Sequence, residues 1–68
     1  MISQEVIILL QGGQYSRAER EFGKSTVRTT ILYMIEHFMA QDALNAANAL
    51  NYEDLAQKAG VIVESFDL

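Results

Sequence analysis

STVRTTILYMIEHFM, residues 25–39, decides the fold class because its apolar side chains repeat with the period of an α-helix. One stripe has spacings of four, three and four residues and consists of Val27, Ile31, Met34 and Phe38. A second stripe lies beside it and consists of Leu32, Ile35 and Met39. We expect a central helix that begins at Ser25 or Thr26 and runs to about Gln41, with an unusually wide apolar face.

The second stripe predicts a contact surface. A surface helix of a small domain needs only one apolar stripe to face its core. We therefore expect the first stripe to face the core and the second to contact a protein partner through Leu32, Ile35 and Met39. Methionine suits such a surface because its side chain is flexible and polarisable.

The length of 68 residues predicts a single domain, residues 1–68, near the lower limit for independent folding. Domains of this size commonly supplement their core with disulfides, a metal or a partner subunit. The absence of cysteine excludes disulfides and thiolate metal sites, and a single histidine argues against a zinc site. We expect no cofactor, and we expect a homodimer or an obligate complex with another protein.

The segments before the central helix predict a helical hairpin. Residues 2–10 suit either a buried strand or one face of a helix. Ser16 and Glu19 have the spacing of a capping box, which predicts a short second helix that ends at Gly23. With the central helix it forms a hairpin over residues 16–41.

The segments after the central helix predict two more short helices, near residues 42–50 and 52–59. Asn51 is the expected N-cap of the last one, and Gly60 its expected end. VIVESF, residues 61–66, predicts a short strand or an extended tail that could pair with the other terminus. The expected fold class is mainly α, with short terminal strands left open.

Charge and hydropathy exclude two classes of function. The net charge is −4, and residues 41–68 carry all of the negative excess, so a general nucleic-acid coat is excluded. The longest apolar run, Val6–Leu10, is too short to span a bilayer. We expect a soluble cytoplasmic protein, and the acidic residues are too scattered for a mimic of DNA.

AEREFGKS, residues 18–25, partly matches the phosphate-binding loop of nucleotide hydrolases. Such a loop needs flexible glycines between a strand and a helix, whereas two carboxylates here would repel phosphate. We interpret Gly23-Lys24-Ser25 as the end of one helix followed by the cap of the next, and we expect no nucleotide.

LLQGGQYSRAEREFGKSTVRTTI, residues 9–31, resembles the DNA-binding helix-turn-helix of resolvases and small phage repressors. The resemblance covers a third of the chain and rests on Ala18, Gly23 and the polar residues after it. It implies that the second helix enters the major groove and that the contacts come from Arg17, Lys24, Ser25, Arg28 and Thr29. An ordinary helical hairpin explains the same spacing.

No set of residues predicts catalysis. His37 has no evident partner for acid–base chemistry and is expected to pack against Tyr33 one turn earlier. Glu53 and Asp54 are expected to be first-turn charges of the last helix rather than a catalytic pair. The acidic tail, with Phe66 and Leu68 as apolar side chains, suits either a partner's sheet edge or, as we prefer, the domain's own core or dimer mate.

These patterns favour a non-enzymatic regulatory or inhibitory protein of bacterial or phage type that acts by binding protein, as a homodimer or with another chain. The alternative is a small dimeric helix-turn-helix regulator that binds DNA.

Overall fold

The computed structural model describes residues 3–66, which form five α-helices with short connections. The helices are α1 (Gln4–Gln11), α2 (Tyr15–Phe22), α3 (Lys24–Glu36), α4 (Ala40–Ala49) and α5 (Glu53–Phe66). The expected mainly α class is confirmed. The described residues contain no strand: residues 4–10, for which a strand and a helix were both left open, belong to α1, and residues 61–66, predicted as a strand or an extended tail, belong to α5.

The core contains the first stripe of the central helix. Val27, Ile31 and Met34 are completely buried, as predicted. They pack with apolar side chains of the other helices, chiefly Val6, Leu10, Ala18, Ala43, Ala46, Ala47 and Ala59. The hydroxyl of the buried Thr30 donates a 2.8 Å hydrogen bond to the Thr26 carbonyl and is thereby satisfied inside α3.

α4 and α5 form the most extensive helix pair, and small side chains allow their close approach. Ala43, Ala46 and Ala47 of α4 are fully buried, as is Ala59 of α5. Gly60 does not end α5; a Cβ there would meet Leu44 Cδ1 at an ordinary 3.9 Å. The apolar residues beyond Gly60 continue the helix, so the predicted stop at residue 60 is wrong.

All four connections contain a residue with positive φ, and three of these residues end a helix in the same way. These residues are Gly13, Phe38 and Asn51, at φ 81°, 66° and 62°. In each, the next backbone N–H donates to a carbonyl five residues earlier, as in a Schellman motif. Asn51 therefore closes the end of α4 and is not the N-cap of α5, as the sequence predicted.

The predicted caps of α2 and α3 are also wrong. α2 begins at Tyr15 without a side-chain cap, and Ser16 lies inside its first turn. Gly23 is the single residue between α2 and α3, so neither Ser25 nor Thr26 caps the central helix. Its φ of 86° and ψ of 155° lie in a region that is essentially restricted to glycine.

Candidate protein-binding surface

The central helix ends earlier than predicted, and this end creates an exposed aromatic side chain. α3 stops at Glu36, and the Met39 N–H donates a 2.9 Å hydrogen bond to the Met34 carbonyl across Phe38. Phe38 was predicted to face the core but is 91% exposed. A bulky residue in the left-handed conformation costs roughly 1–2 kcal/mol. Phe38 thus combines an unfavourable backbone conformation with an unburied ring.

The apolar face of α5 is buried at its start and exposed to solvent at its last described turn. Leu55, Ala59, Ile62 and Phe66 are spaced four, three and four residues apart and therefore share one face. Leu55 and Ala59 are buried and Ile62 packs against the core, whereas Phe66 is 71% exposed. The apolar face of α5 therefore extends beyond the part that α4 and α3 cover.

These two ends meet in a shallow groove of about 270 Å³. It is lined by Phe38, Ala40, Gln41, Val63 and Phe66. We call these five residues the Phe38–Phe66 surface. The lining joins the end of α3, the first turn of α4 and the last described turn of α5, so the surface depends on the complete fold.

Carboxylates flank this surface along the chain. Glu36 and Glu64 are exposed, and Asp42 is half-buried. Asp42 Oδ2 accepts a 3.5 Å hydrogen bond from the Gln11 side chain. The last turn of α3 and the last described turn of α5 contain no basic residue. These two described turns therefore supply no cation to the surface, whereas the first turn of α4, which also lines it, supplies the positive end of a helix dipole.

The predicted partner-binding stripe is divided between core and surface. Ile35 is only 4% exposed and belongs to the core, so it is not presented to a partner. Leu32 and Met39 are half-buried against the same core. Leu32 also lines a smaller groove of about 190 Å³ with Arg28, Thr29 and Leu55. The second stripe therefore packs mainly against the domain's own core and exposes little apolar surface.

A polar cluster joins α2, α3 and α5 on another part of the molecule. Arg28 forms hydrogen bonds of 3.3 and 2.5 Å with the two carboxylate oxygens of Asp54, and its guanidinium lies 5.0 Å from the Tyr52 ring centroid. The Tyr52 hydroxyl donates to the Glu19 carboxylate. Two pairs of side chains that are distant in sequence, Arg28–Asp54 and Tyr52–Glu19, thereby hold three helices together.

The protonation of this cluster follows from its contacts. The hydrogen bond from Arg28 lowers the pKa of Asp54, and the same bond raises the pKa of Arg28. Burial and the hydrogen bond to Glu19 raise the pKa of Tyr52 to about 12. These directions favour a charged Arg28, a charged Asp54 and a neutral Tyr52 at neutral pH, so these contacts hold the helices together without a change of protonation.

The residues of the DNA-binding alternative are only partly available. Arg17 is paired with Glu21 at 3.0 Å and also bonds to Gln14, and Arg28 is held by Asp54. The remaining three, Lys24, Ser25 and Thr29, are exposed on the first turns of α3. Two of the three cations that the resemblance assigns to DNA therefore already contact protein groups.

Two smaller predictions are confirmed. The rings of His37 and Tyr33 are stacked with centroids 4.0 Å apart. Glu53 and Asp54 lie in the first turn of α5, as expected of charges at a helix N-terminus. Two residues of the predicted acidic tail, Asp67 and Leu68, lie outside the described residues.

A second groove, of about 280 Å³, lies between α1 and α2. Its apolar residues are Ile8, Leu9 and Phe22, and its rim carries the Arg17–Glu21 ion pair together with Glu5. Its mixed charges distinguish it from the Phe38–Phe66 surface. No helix within residues 3–66 is long and apolar enough to cross a bilayer.

Comparison of the chain with family models, curated proteins and solved structures gives no match. The choice of a functional surface therefore depends on geometry alone. Sequence patterns indicated Phe66 as an apolar side chain of the tail, but they placed Phe38 in the core. No local signal marks Phe38 as the residue at which the helix ends.

Proposed function

We propose that this protein is a non-enzymatic regulator or inhibitor that acts by binding another protein through the Phe38–Phe66 surface. The observation that carries the proposal is the conformation of Phe38. Its ring is 91% exposed and its φ is 66°, in a position where glycine or asparagine would close the helix without strain. Strain in a well-packed fold occurs most often where a residue serves function rather than stability.

The neighbourhood of Phe38 supports the same proposal. Phe66 and Val63 extend the apolar surface, and exposed contiguous apolar patches are typical of contact sites. Aromatic side chains are frequent among the residues that dominate binding energy. A homodimer would cover this surface as another protein would, and both forms of contact belong to the proposed function.

Site-specific photo-crosslinking in source cells tests the proposal. The variant Phe38→p-benzoylphenylalanine keeps an aromatic ring in the groove and reacts only with what lies against it. We expect a discrete protein adduct that survives nuclease treatment and disappears when Phe66→Glu is added. Circular dichroism should show unchanged helix content, because Phe66 is exposed.

Ile8→p-benzoylphenylalanine is the matched control, since Ile8 is 63% exposed on α1 and lines the separate groove between α1 and α2. It should not give the same adduct. Identical adducts from both positions, or none from position 38, would contradict the proposal. An adduct that contains only nucleic acid would favour the helix-turn-helix alternative.

A further inference from the structure

We infer that the partner of the Phe38–Phe66 surface is a basic amphipathic helix of another protein, which places Lys or Arg beside its apolar side chains. The inference rests on the proposed function and specifies the chemistry of the partner. It is argued from the charges around the groove and from the kinds of contact that the fold allows.

The groove lies in a region of negative charge. Glu36, Asp42 and Glu64 each stand within two residues of a lining residue. Consecutive Cα atoms are about 3.8 Å apart, so these carboxylates act over a distance of the order of one Debye length at physiological salt. The last turn of α3 and the last described turn of α5 contain no basic residue that would offset these carboxylates.

Basic residues of this chain offset these carboxylates only in part. Arg17 and Arg28 are engaged with Glu21 and Asp54. Lys58 is the basic residue nearest in sequence to the lining, five residues or about 7.5 Å of helix before Val63, so one lysine stands against three carboxylates. A ligand with positive charge next to its apolar side chains would therefore gain attraction that a neutral ligand would not.

The same charges disfavour other occupants. In a symmetric dimer, two copies of this surface would bring Glu36, Asp42 and Glu64 close to their symmetry mates. An anionic membrane or a nucleic acid would be repelled for the same reason. A basic amphipathic helix of another protein fills the apolar groove and also complements the carboxylates. It offers apolar side chains at helical spacing and cations at their edges.

The kind of contact follows from the fold. The described residues contain no strand whose edge could receive an extended peptide. The groove runs between helix ends, and its volume of about 270 Å³ has room for one or two apolar side chains. A helix that inserts residues spaced three or four apart is the recognition mode that suits such a groove.

Selection from a random peptide library tests the inference. Peptides of about 15 residues are selected on the full chain and counter-selected on Phe66→Glu. We expect the enriched peptides to carry net positive charge and apolar residues at i and i+3 or i+4. Val61→Glu is the matched control, because Val61 is 61% exposed on α5 and does not line the groove; it should retain the peptides.

A binding measurement on the best peptide completes the test. We expect the double variant Glu36→Gln/Glu64→Gln to weaken binding about three- to tenfold, and added salt to weaken it in the wild type. Helix content should not change, because both glutamates are exposed.

Each outcome of the selection has a distinct meaning. Enriched peptides that depend on Phe66 but are neutral or acidic would overturn the inference and leave the proposed function intact. Failure to enrich any Phe66-dependent peptide, together with no adduct at position 38, would overturn both. A dimer in sedimentation equilibrium at about 100 μM that Phe66→Glu dissociates would replace the basic helix with a second copy.

Discussion

The hydroxyl of Tyr52 donates a hydrogen bond to the carboxylate of Glu19, and this contact joins the start of α5 to α2 across 33 residues of sequence. Tyr52 is buried, and its hydroxyl is satisfied by this half-buried carboxylate. Glu19 was expected to complete a capping box with Ser16. Glu19 therefore accepts a long-range hydrogen bond from Tyr52 instead of forming the local capping box with Ser16.

Tyr52→Phe should destabilise the domain by about 1–3 kcal/mol, because it removes the donor of a hydrogen bond to a partly buried carboxylate. Chemical denaturation at pH 7 measures the change. The alkaline range tests the same contact. The pKa of Tyr52 is raised to about 12, whereas a tyrosine in the unfolded chain has its ordinary value of about 10.

This difference fixes the sign of the pH dependence. The unfolded chain loses the Tyr52 proton first, so the stability that this proton gives is present below pH 10 and is lost as the pH rises towards about 12. We expect the wild type to lose more stability over this range than Tyr52→Phe. Parallel pH profiles of the two proteins would contradict this explanation.

Phe38→Gly should stabilise the fold by up to about 1 kcal/mol, because glycine adopts positive φ without strain and the exposed ring contributes little packing. Thermal denaturation measures the gain. The same variant should lose the adduct or peptide binding assigned to the Phe38–Phe66 surface. Greater stability with lost binding would separate the two roles of this residue.

Asn51→Gly is the control for Phe38→Gly, since Asn51 occupies the corresponding position after α4 with φ 62°. Asparagine tolerates this conformation, so its replacement should change stability by less. If Phe38→Gly destabilised the domain more than Asn51→Gly did, the ring of Phe38 would be a packing residue.

Gly60→Ala should stabilise the domain by about 0.5–1 kcal/mol, because Gly60 lies inside α5 and its new Cβ would make only an ordinary contact with Leu44. Gly23→Ala should do the opposite. Gly23 has positive φ between α2 and α3, and alanine there should cost about 1–3 kcal/mol. Urea denaturation of the two variants provides a direct comparison; a loss of stability in Gly60→Ala would show that α4 and α5 cannot accept a methyl group there.

Ile35→Glu should unfold the domain, because it would place a charge in the core where the side chain is 4% exposed. Leu32→Glu, at a half-buried position of the same stripe, should be tolerated better. Circular dichroism and thermal denaturation distinguish these results. A folded Ile35→Glu variant that loses only its assembly would restore the stripe of Leu32, Ile35 and Met39 as a partner surface.

The sequence predicts the parts of the fold that depend on local periodicity. The buried stripe of α3 follows from the spacing of Val27, Ile31 and Met34, and α4 appears close to its predicted bounds. β-branched residues at both ends suggested strands, but tertiary packing places these segments in helices. Local propensity is too weak to decide against such packing.

The candidate site was less predictable, because its geometry depends on where a helix ends. Glycine or asparagine normally marks such an end, and at this position the chain has Phe38. Because Phe38 continues the helical spacing of the first stripe, the sequence predicted that its side chain faces the core. The exposure of Phe66 depends on how far α3 and α4 extend alongside α5, and no local sequence pattern indicates this length.

The four connections between helices contain only one to three residues each. Most helices therefore meet their sequence neighbours early, and topologies dominated by such local contacts fold in microseconds to milliseconds. Fast refolding shortens the time for which the apolar segments of α1 and α5 are exposed to other chains. A small domain with a low free energy of unfolding can in this way resist aggregation because it folds fast.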